Sequence, residues 1–147
     1  MTTEPVQVPS RIVVGVDGSE PSKAALRWAA RIATLSASRI QAVIAWDYPA
    51  NYGFPVQAWN WQPDVDADLV MKKTLDEVFS GHPPPGLETH VLRGHARDVL
   101  LQASDGAEML IVGSRGHGGF AGLLLGSVSA ACAEHAHCPV LVVHGAA

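Results

Sequence analysis

The sequence lacks several features that mark common classes of protein. It has only two cysteines in 147 residues, and its ten lysines and arginines form no run within a net charge of -4. A disulfide-stapled fold and a basic surface for nucleic acid are therefore not expected. No apolar run reaches the ~18 residues of a membrane helix, and the N-terminus shows no apolar signal segment. We expect a cytoplasmic protein that binds neither nucleic acid nor membrane.

The cysteines and histidines near the C-terminus do not make a metal motif. Cys138 has His135 and His137 close by in the sequence, but further ligands at a spacing typical of zinc are missing. We expect Cys132 and Cys138 to be reduced thiols, and we expect no protein-bound metal site.

Lysine is absent after Lys73, and this absence restricts how the chain could bind phosphate. The stretch from Gly113 to Ser129 is rich in glycine, follows a short apolar run and precedes an alanine-rich helical segment. A strand, a glycine-rich loop and a helix N-terminus in this order predict a phosphate site, because backbone N–H groups and the positive end of the helix dipole can meet an anion there. A P-loop is excluded, since it requires a lysine in the loop.

The dinucleotide fingerprint Gly-x-Gly-x-x-Gly/Ala is matched only formally, by residues 116–121. The match lies near the C-terminus, and the predicted strand that follows it does not end in an acidic residue. A nicotinamide or flavin dinucleotide is therefore not expected.

Strand and helix patterns alternate along the whole chain. Runs rich in β-branched residues predict strands, and helical periodicity predicts the segments between them. The predicted strands are 11–16, 40–46, 87–92, 109–112 and 139–144, and the predicted helices are 24–37, 65–80, 94–104 and 127–136. In the first helix the apolar residues that share one face are Ala25, Trp28, Ala29, Ile32 and Leu35. The alternation predicts an α/β fold, a single doubly wound domain over 11–147 with helices on both faces of a parallel sheet, after a flexible tail at 1–10.

The two ends of the chain are predicted to meet at one crevice. Asp17 and Gly113 each follow the carboxyl end of a predicted strand, and doubly wound sheets bind their ligands beyond these ends, at the switch point. If the first and fourth strands are neighbours, the two loops face each other. Ser19 or Ser22 is predicted to cap the first helix, with Pro21 in its first turn.

Taken together, these segments resemble the ATP-binding branch of the universal stress protein family over essentially the whole chain. The segments that carry the resemblance are Ile12–Ser19, Leu110–Gly116, Leu125–Val128 and Cys138–Val143. The resemblance implies a five-stranded parallel sheet of order 3-2-1-4-5 and ATP between the first and fourth strands. It also implies a homodimer, for which we expect the C-terminal edge strand, Val140–Val143, to supply the contact.

The resemblance also implies roles for individual residues. Asp17 would contact the ribose, the backbone around Val43 would meet the adenine, and glycines with Ser127 would surround the phosphates. The full set of candidate binding residues is Gly15, Asp17, Val43, Gly113, Ser114, Arg115, Gly116, His117, Gly118, Gly119, Gly126, Ser127, Val128 and Ser129. Two alternatives stay open: Asp17 as a cap of the first helix, and His117 as a polar loop residue without a catalytic role.

The function that the sequence favours is an ATP-binding stress or signalling module, with Mg²⁺ as a companion of the phosphates. No Ser-His-Asp set, carboxylate pair or metal cluster stands out, so an enzyme would be at most a slow ATPase. A cyclic AMP-binding member of the same family is the main alternative. The aromatic segment at 46–61 is predicted to cover the core, to bind a partner or to form part of a ligand lid.

Overall fold

The computed structural model describes residues 10–48, 62–116 and 125–145. Over these residues the chain alternates strands and helices, as the sequence predicted, with ends that differ by a few residues. The strands are β1 (Arg11–Gly15), β2 (Arg39–Trp46), β3 (Glu88–Arg93), β4 (Met109–Gly113) and β5 (Val140–Val143). The helices are α1 (Glu20–Ser36), α2 (Pro63–Phe79), α3 (Ala96–Ala103) and α4 (Ser127–His135).

The strands form one parallel sheet with the order β3-β2-β1-β4-β5. β1 lies at its centre and pairs with two strands, so that Val13 is opposite both Gln41 of β2 and Leu110 of β4. The residues of β1 are apolar on both faces because both faces are covered, and Ile12, Val13 and Val14 are fully buried. The predicted order 3-2-1-4-5 is therefore confirmed.

Helices cover the two faces of the sheet in pairs. On one face, Ile12 of β1 packs in a cluster with Leu26 of α1 and Met71 of α2. On the other face, Val13 packs in a cluster with Leu100 of α3 and with α4. Successive residues of a strand point to opposite faces, which explains why neighbours in β1 belong to different clusters. None of the helices in the described ranges has both the length and the apolar character needed to span a membrane.

Helix α1 buries only part of the face that the sequence predicted: Ala25 and Ala29 are fully buried and Ile32 packs against the core. Trp28 is 45% exposed and Leu35 is 87% exposed, and Arg31 stacks its guanidinium over the Trp28 ring at 5.1 Å. The residues that α1 buries are mostly small: Ser22, Ala25, Leu26, Ala29 and Ala33. The buried set shares Ala25 and Ala29 with the predicted face, and its mostly small side chains let the helix lie close to the sheet.

The predicted tail and the aromatic segment lie mostly outside the described residues, since 1–9 and 49–61 are not among them. The first residues of the aromatic segment are described. Arg93 of β3 stacks over the rings of Trp46 and Tyr48, and its Nε donates to Asp47 Oδ1 at 3.3 Å. Arg93 of β3 therefore fixes the first residues of the aromatic segment, where the chain leaves β2.

Two leucines of α1 provide a matched test of this packing. We expect Leu26→Ala to lower the free energy of unfolding by about 2–5 kcal/mol, because it removes a fully buried side chain. Leu35→Ala makes the same chemical change at an exposed position of the same helix and is expected to change it by no more than about 0.5 kcal/mol. Urea denaturation of both variants measures the difference, and equal effects would contradict the assignment of the buried face.

Candidate functional site

A crevice of about 290 Å³ opens where β1 and β4 end. Its walls come from both halves of the chain, and its volume lies just below the range of ~300–1,000 Å³ that is typical of small-molecule sites. The candidate binding residues that line it are Gly15, Asp17, Val43, Gly113, Arg115, Gly116, Gly126, Ser127, Val128 and Ser129. His117, Gly118 and Gly119 lie outside the described residues.

Asp17 supports the start of α1 without being its cap. The N-cap is Ser19, whose hydroxyl accepts a hydrogen bond from the Ser22 N–H at 3.3 Å. Asp17 Oδ1 accepts two hydrogen bonds from Ser19, from its N–H at 2.9 Å and from its hydroxyl at 2.5 Å. Of the two predicted caps, Ser19 is the one observed, and Asp17 is attached to it.

Gly116 brings the second loop against Asp17. A Cβ atom placed on Gly116 would overlap Asp17 Oδ2, so any larger residue would displace the carboxylate. The Ser19 hydroxyl also lies 3.5 Å from the carbonyl oxygen of Arg115. The loops after β1 and β4 are therefore in direct contact on one side of the crevice.

Gly113 serves packing between a strand and a helix. A Cβ atom at this position would lie 2.7 Å from the Pro21 carbonyl carbon and 2.9 Å from the Ser22 nitrogen, both in the first turn of α1. Real Cβ atoms do not approach backbone so closely, so the absence of a side chain allows the end of β4 to meet α1. This role in packing is distinct from the phosphate contact that the resemblance implied.

Ser114 does not line the crevice, but its hydrogen bonds connect the end of β4 to β5 and to the start of α4. Its N–H donates to the carbonyl of Val143 in β5 at 2.8 Å. Its carbonyl accepts from the Gly126 N–H at 2.7 Å and from the buried Ser129 hydroxyl at 2.8 Å. The Gly126 N–H is thus already used within the protein, and the hydrogen bonds fix the start of α4 against the end of β4.

The N-terminus of α4 is open to the crevice. Its N-cap is Gly126, and within the described residues no side chain caps the helix. The first N–H groups of a helix have no partner inside it, and here they belong to Ser127, Val128 and Ser129, which line the crevice. Together with the positive end of the helix dipole, they form a site suited to an anion.

The other end of the crevice is apolar. Val43 and Ala45 of β2 meet Ala96 and Leu100 of α3 there. Gly15 leaves room for this contact, because a Cβ on it would lie 2.8 Å from a methyl carbon of Leu100. The sequence predicted the helix that carries Ala96 and Leu100, over 94–104, but did not assign these residues to the site. Two features of the sequence could have assigned them to the site: their apolar character and the position of their helix directly after a predicted strand.

In the part of the chain that the structure describes, no three His, Cys, Asp or Glu side chains lie close enough together to hold a metal ion. Burial raises the pKa of the Cys132 thiol to about 11, so this group is protonated at neutral pH. A protonated thiol is a poor nucleophile.

Comparison with known proteins identifies relatives of this chain. The model of the universal stress protein family matches residues 9–144. The universal stress protein Rv2624c of Mycobacterium tuberculosis is 37% identical over 139 residues, which are 90% of this chain and 47% of that protein. The chain thus spans about half the length of the curated relatives it matches.

Solved structures share the fold. UspA from Lactobacillus plantarum has a TM-score of 0.76 at 20% identity, over 93% of this chain and 99% of that one. A universal stress protein in complex with cAMP has a TM-score of 0.68 at 26% identity, over 93% and 98%. The Arabidopsis thaliana protein At3g01520 with AMP bound has a TM-score of 0.61 at 25% identity, over 95% and 93%.

Substitutions at two glycines of the site test the close packing of β4 against α1. We expect Gly113→Ala to lower the free energy of unfolding by about 1–3 kcal/mol, because the new methyl group meets the backbone of α1. Gly126→Ser is the control: its Cβ would meet its nearest atoms at 3.4 Å, and serine is a favoured N-cap, so we expect unchanged or higher stability. Thermal unfolding of both variants measures this, and a Gly113→Ala variant as stable as the wild type would contradict the close approach.

Proposed function

The chain belongs to the universal stress protein family, and we propose that it binds an adenine nucleotide, in the first place ATP, in the crevice between β1 and β4. One observation carries the proposal. The crevice has an apolar end at β2 and α3 and, at its other end, the N-terminus of α4, which no side chain of the described residues caps. A base and a phosphate group require these two environments at once.

The apolar end suits a purine base. Aliphatic side chains line this end, and they can pack against the apolar faces of adenine. They belong to Val43, Ala45, Ala96 and Leu100. The Val16 N–H already donates to the Val43 carbonyl at 2.8 Å, which holds the backbone of β2 in position at this end.

The opposite end suits the phosphates. Three consecutive N–H groups, those of residues 127–129, come from the start of α4, and Arg115 lines the same crevice. Hydrogen bonds to a charged acceptor are worth about 1.5–3 kcal/mol each, so a phosphate held by backbone alone can be bound firmly. The chain therefore needs no lysine in the loop.

The sugar would lie between these ends. In the sheet, β1 stands between β2, which carries the apolar end, and β4, which leads to the phosphate end. Asp17 follows β1 and lines the crevice, so its carboxylate would face the ribose. A carboxylate accepts hydrogen bonds from hydroxyl groups and repels phosphate, which agrees with this placement.

Mg²⁺ would be held mainly by the phosphates. Among the described residues no group of three acidic or histidine side chains offers a binding site for it. Mg²⁺ commonly keeps several water ligands and binds through substrate phosphates, so the proposed site fits a nucleotide that brings its own cation.

Cyclic AMP is the second candidate ligand. The universal stress protein in complex with cAMP is 26% identical to this chain, and the same crevice would present the α4 N-terminus to a single phosphate. Competition between cAMP and ATP decides which is bound more tightly. Slow hydrolysis of ATP in the same crevice is a third candidate activity. Measuring phosphate release by the wild type and by Asp17→Ala tests it.

We also propose a homodimer that pairs through β5 in the cytoplasm. β5 is an edge strand of the sheet, and edge strands present unpaired backbone groups to a second chain. Cys132 and Cys138 are both free thiols, which agrees with a reducing compartment. Light scattering at micromolar concentration measures the oligomeric state.

A proline substitution tests the phosphate end. Ser127 is the first residue of α4, where proline is tolerated, and Gly126 before it is extended (φ -70, ψ 165), as a residue preceding proline should be. Ser127→Pro removes the N–H and the hydroxyl, and Ser127→Ala removes only the hydroxyl. Calorimetry is expected to show that Ser127→Pro binds ATP about tenfold more weakly than Ser127→Ala.

The two variants should unfold at the same temperature as the wild type, so that any loss of affinity reports the contact. Equal affinities of the two variants would contradict a phosphate at this N–H. No heat from the wild type with ATP, ADP, AMP or cAMP would contradict the proposed function itself.

A further inference from the structure

The two carboxylate oxygens of Asp17 have different surroundings. Oδ1 accepts both hydrogen bonds from Ser19, at 2.9 Å from the N–H and 2.5 Å from the hydroxyl. Oδ2 lies against Gly116, which has no side chain to cover it. Oδ1 is therefore bound to Ser19, whereas Oδ2 accepts no hydrogen bond from the residues that the structure describes, and Asp17 lines the crevice.

Ser19 is itself held by a small closed set of hydrogen bonds. Its hydroxyl accepts from the Ser22 N–H at 3.3 Å, and its carbonyl accepts from the Ser22 hydroxyl at 3.0 Å. The Ser22 hydroxyl in turn accepts from the Asp17 N–H at 3.4 Å, and Ser22 is only 3% exposed. These contacts fix Ser19 relative to the backbone of Asp17, so the Ser19 hydroxyl, together with the Ser19 N–H, fixes the rotation of the Asp17 carboxylate.

We infer that Ser19 is a positioning residue that sets the preference of this site for a ribose over a sugar without hydroxyls, by turning Asp17 Oδ2 toward the crevice. The inference rests on the proposed function. A carboxylate oxygen only accepts hydrogen bonds, so the ligand groups it favours are the 2′- and 3′-hydroxyls. Without the Ser19 hydroxyl, Oδ1 keeps only the hydrogen bond from the Ser19 N–H, the carboxylate is held less firmly, and the preference for these hydroxyls is expected to fall.

The test compares ATP with 2′,3′-dideoxy-ATP, and the readout is the ratio of their dissociation constants. The wild type is expected to prefer ATP by about tenfold or more, as one charge-assisted hydrogen bond would provide. Ser19→Gly removes the hydroxyl but costs the helix only a few tenths of a kcal/mol as an N-cap. It is expected to reduce the ratio to within about twofold of that of Asp17→Asn. Ser19→Thr retains the hydroxyl and should retain the ratio.

Two controls separate positioning from a general effect on α1. Glu20→Ala removes the salt bridge to Lys23 at 3.0 Å in the same first turn without touching the carboxylate, and it should keep the wild-type ratio. The double variant Asp17→Asn with Ser19→Gly should match Asp17→Asn alone, because Ser19 acts through Asp17.

The outcomes distinguish the two proposals. A wild type that binds neither nucleotide contradicts the proposed function. A wild type that prefers ATP, with a Ser19→Gly variant that keeps the full ratio, overturns the role of Ser19 and leaves the proposed function standing. Equal weakening of both nucleotides in Ser19→Gly also overturns it, since that pattern reports a distorted helix start.

Discussion

The crevice depends on how closely the end of β4 approaches the beginning of α1. Gly113 makes this approach possible, because a side chain there would collide with the backbone of Pro21 and Ser22. The same approach brings Gly116 against the carboxylate of Asp17, so a contact in the core of the fold determines the shape of the site at its surface. Residues nearly a hundred positions apart in the sequence thus share one wall, and the parallel sheet with β1 and β4 as neighbours is what makes this geometry available.

Two helices begin at the crevice, and their N-termini differ. Helix α1 is capped by its own Ser19, which also holds Asp17, so its first turn is satisfied and carries a negative charge. Helix α4 begins at Gly126, which has no side chain to act as a cap, and its position is fixed instead by hydrogen bonds to the Ser114 carbonyl. The first helix end therefore suits hydroxyl groups, and the second suits an anion. The crevice therefore has three parts in order: an apolar end at β2 and α3, the carboxylate of Asp17, and the N-terminus of α4.

The alternation of strands and helices could be predicted because it follows from local patterns that the tertiary structure does not override. Alternating strands and helices predicted the sheet, and the family resemblance supplied its order and placed Asp17 near the glycine loop. The buried face of α1 could be predicted only in part, since Trp28 and Leu35 fit the same helical spacing as the buried Ala25 and Ala29, and only packing on the sheet distinguishes them. The structural role of Gly113 and the contribution of Leu100 also depend on contacts between distant elements, which periodicity does not contain. Ser19 was predicted as a cap, but its bond to Asp17 required the geometry of the loop.

The central claim is that an adenine nucleotide lies across β1 with its phosphates at the start of α4. Amide chemical shifts of ¹⁵N-labelled protein during a titration with ATP test it most directly, because each N–H reports its own contact. The account predicts that the largest changes occur at the amides of Ser127, Val128 and Ser129, with further changes at Asp17, while those of β3 stay nearly constant. Saturation with ATP that leaves the α4 amides unchanged, or changes centred on β3, would contradict it.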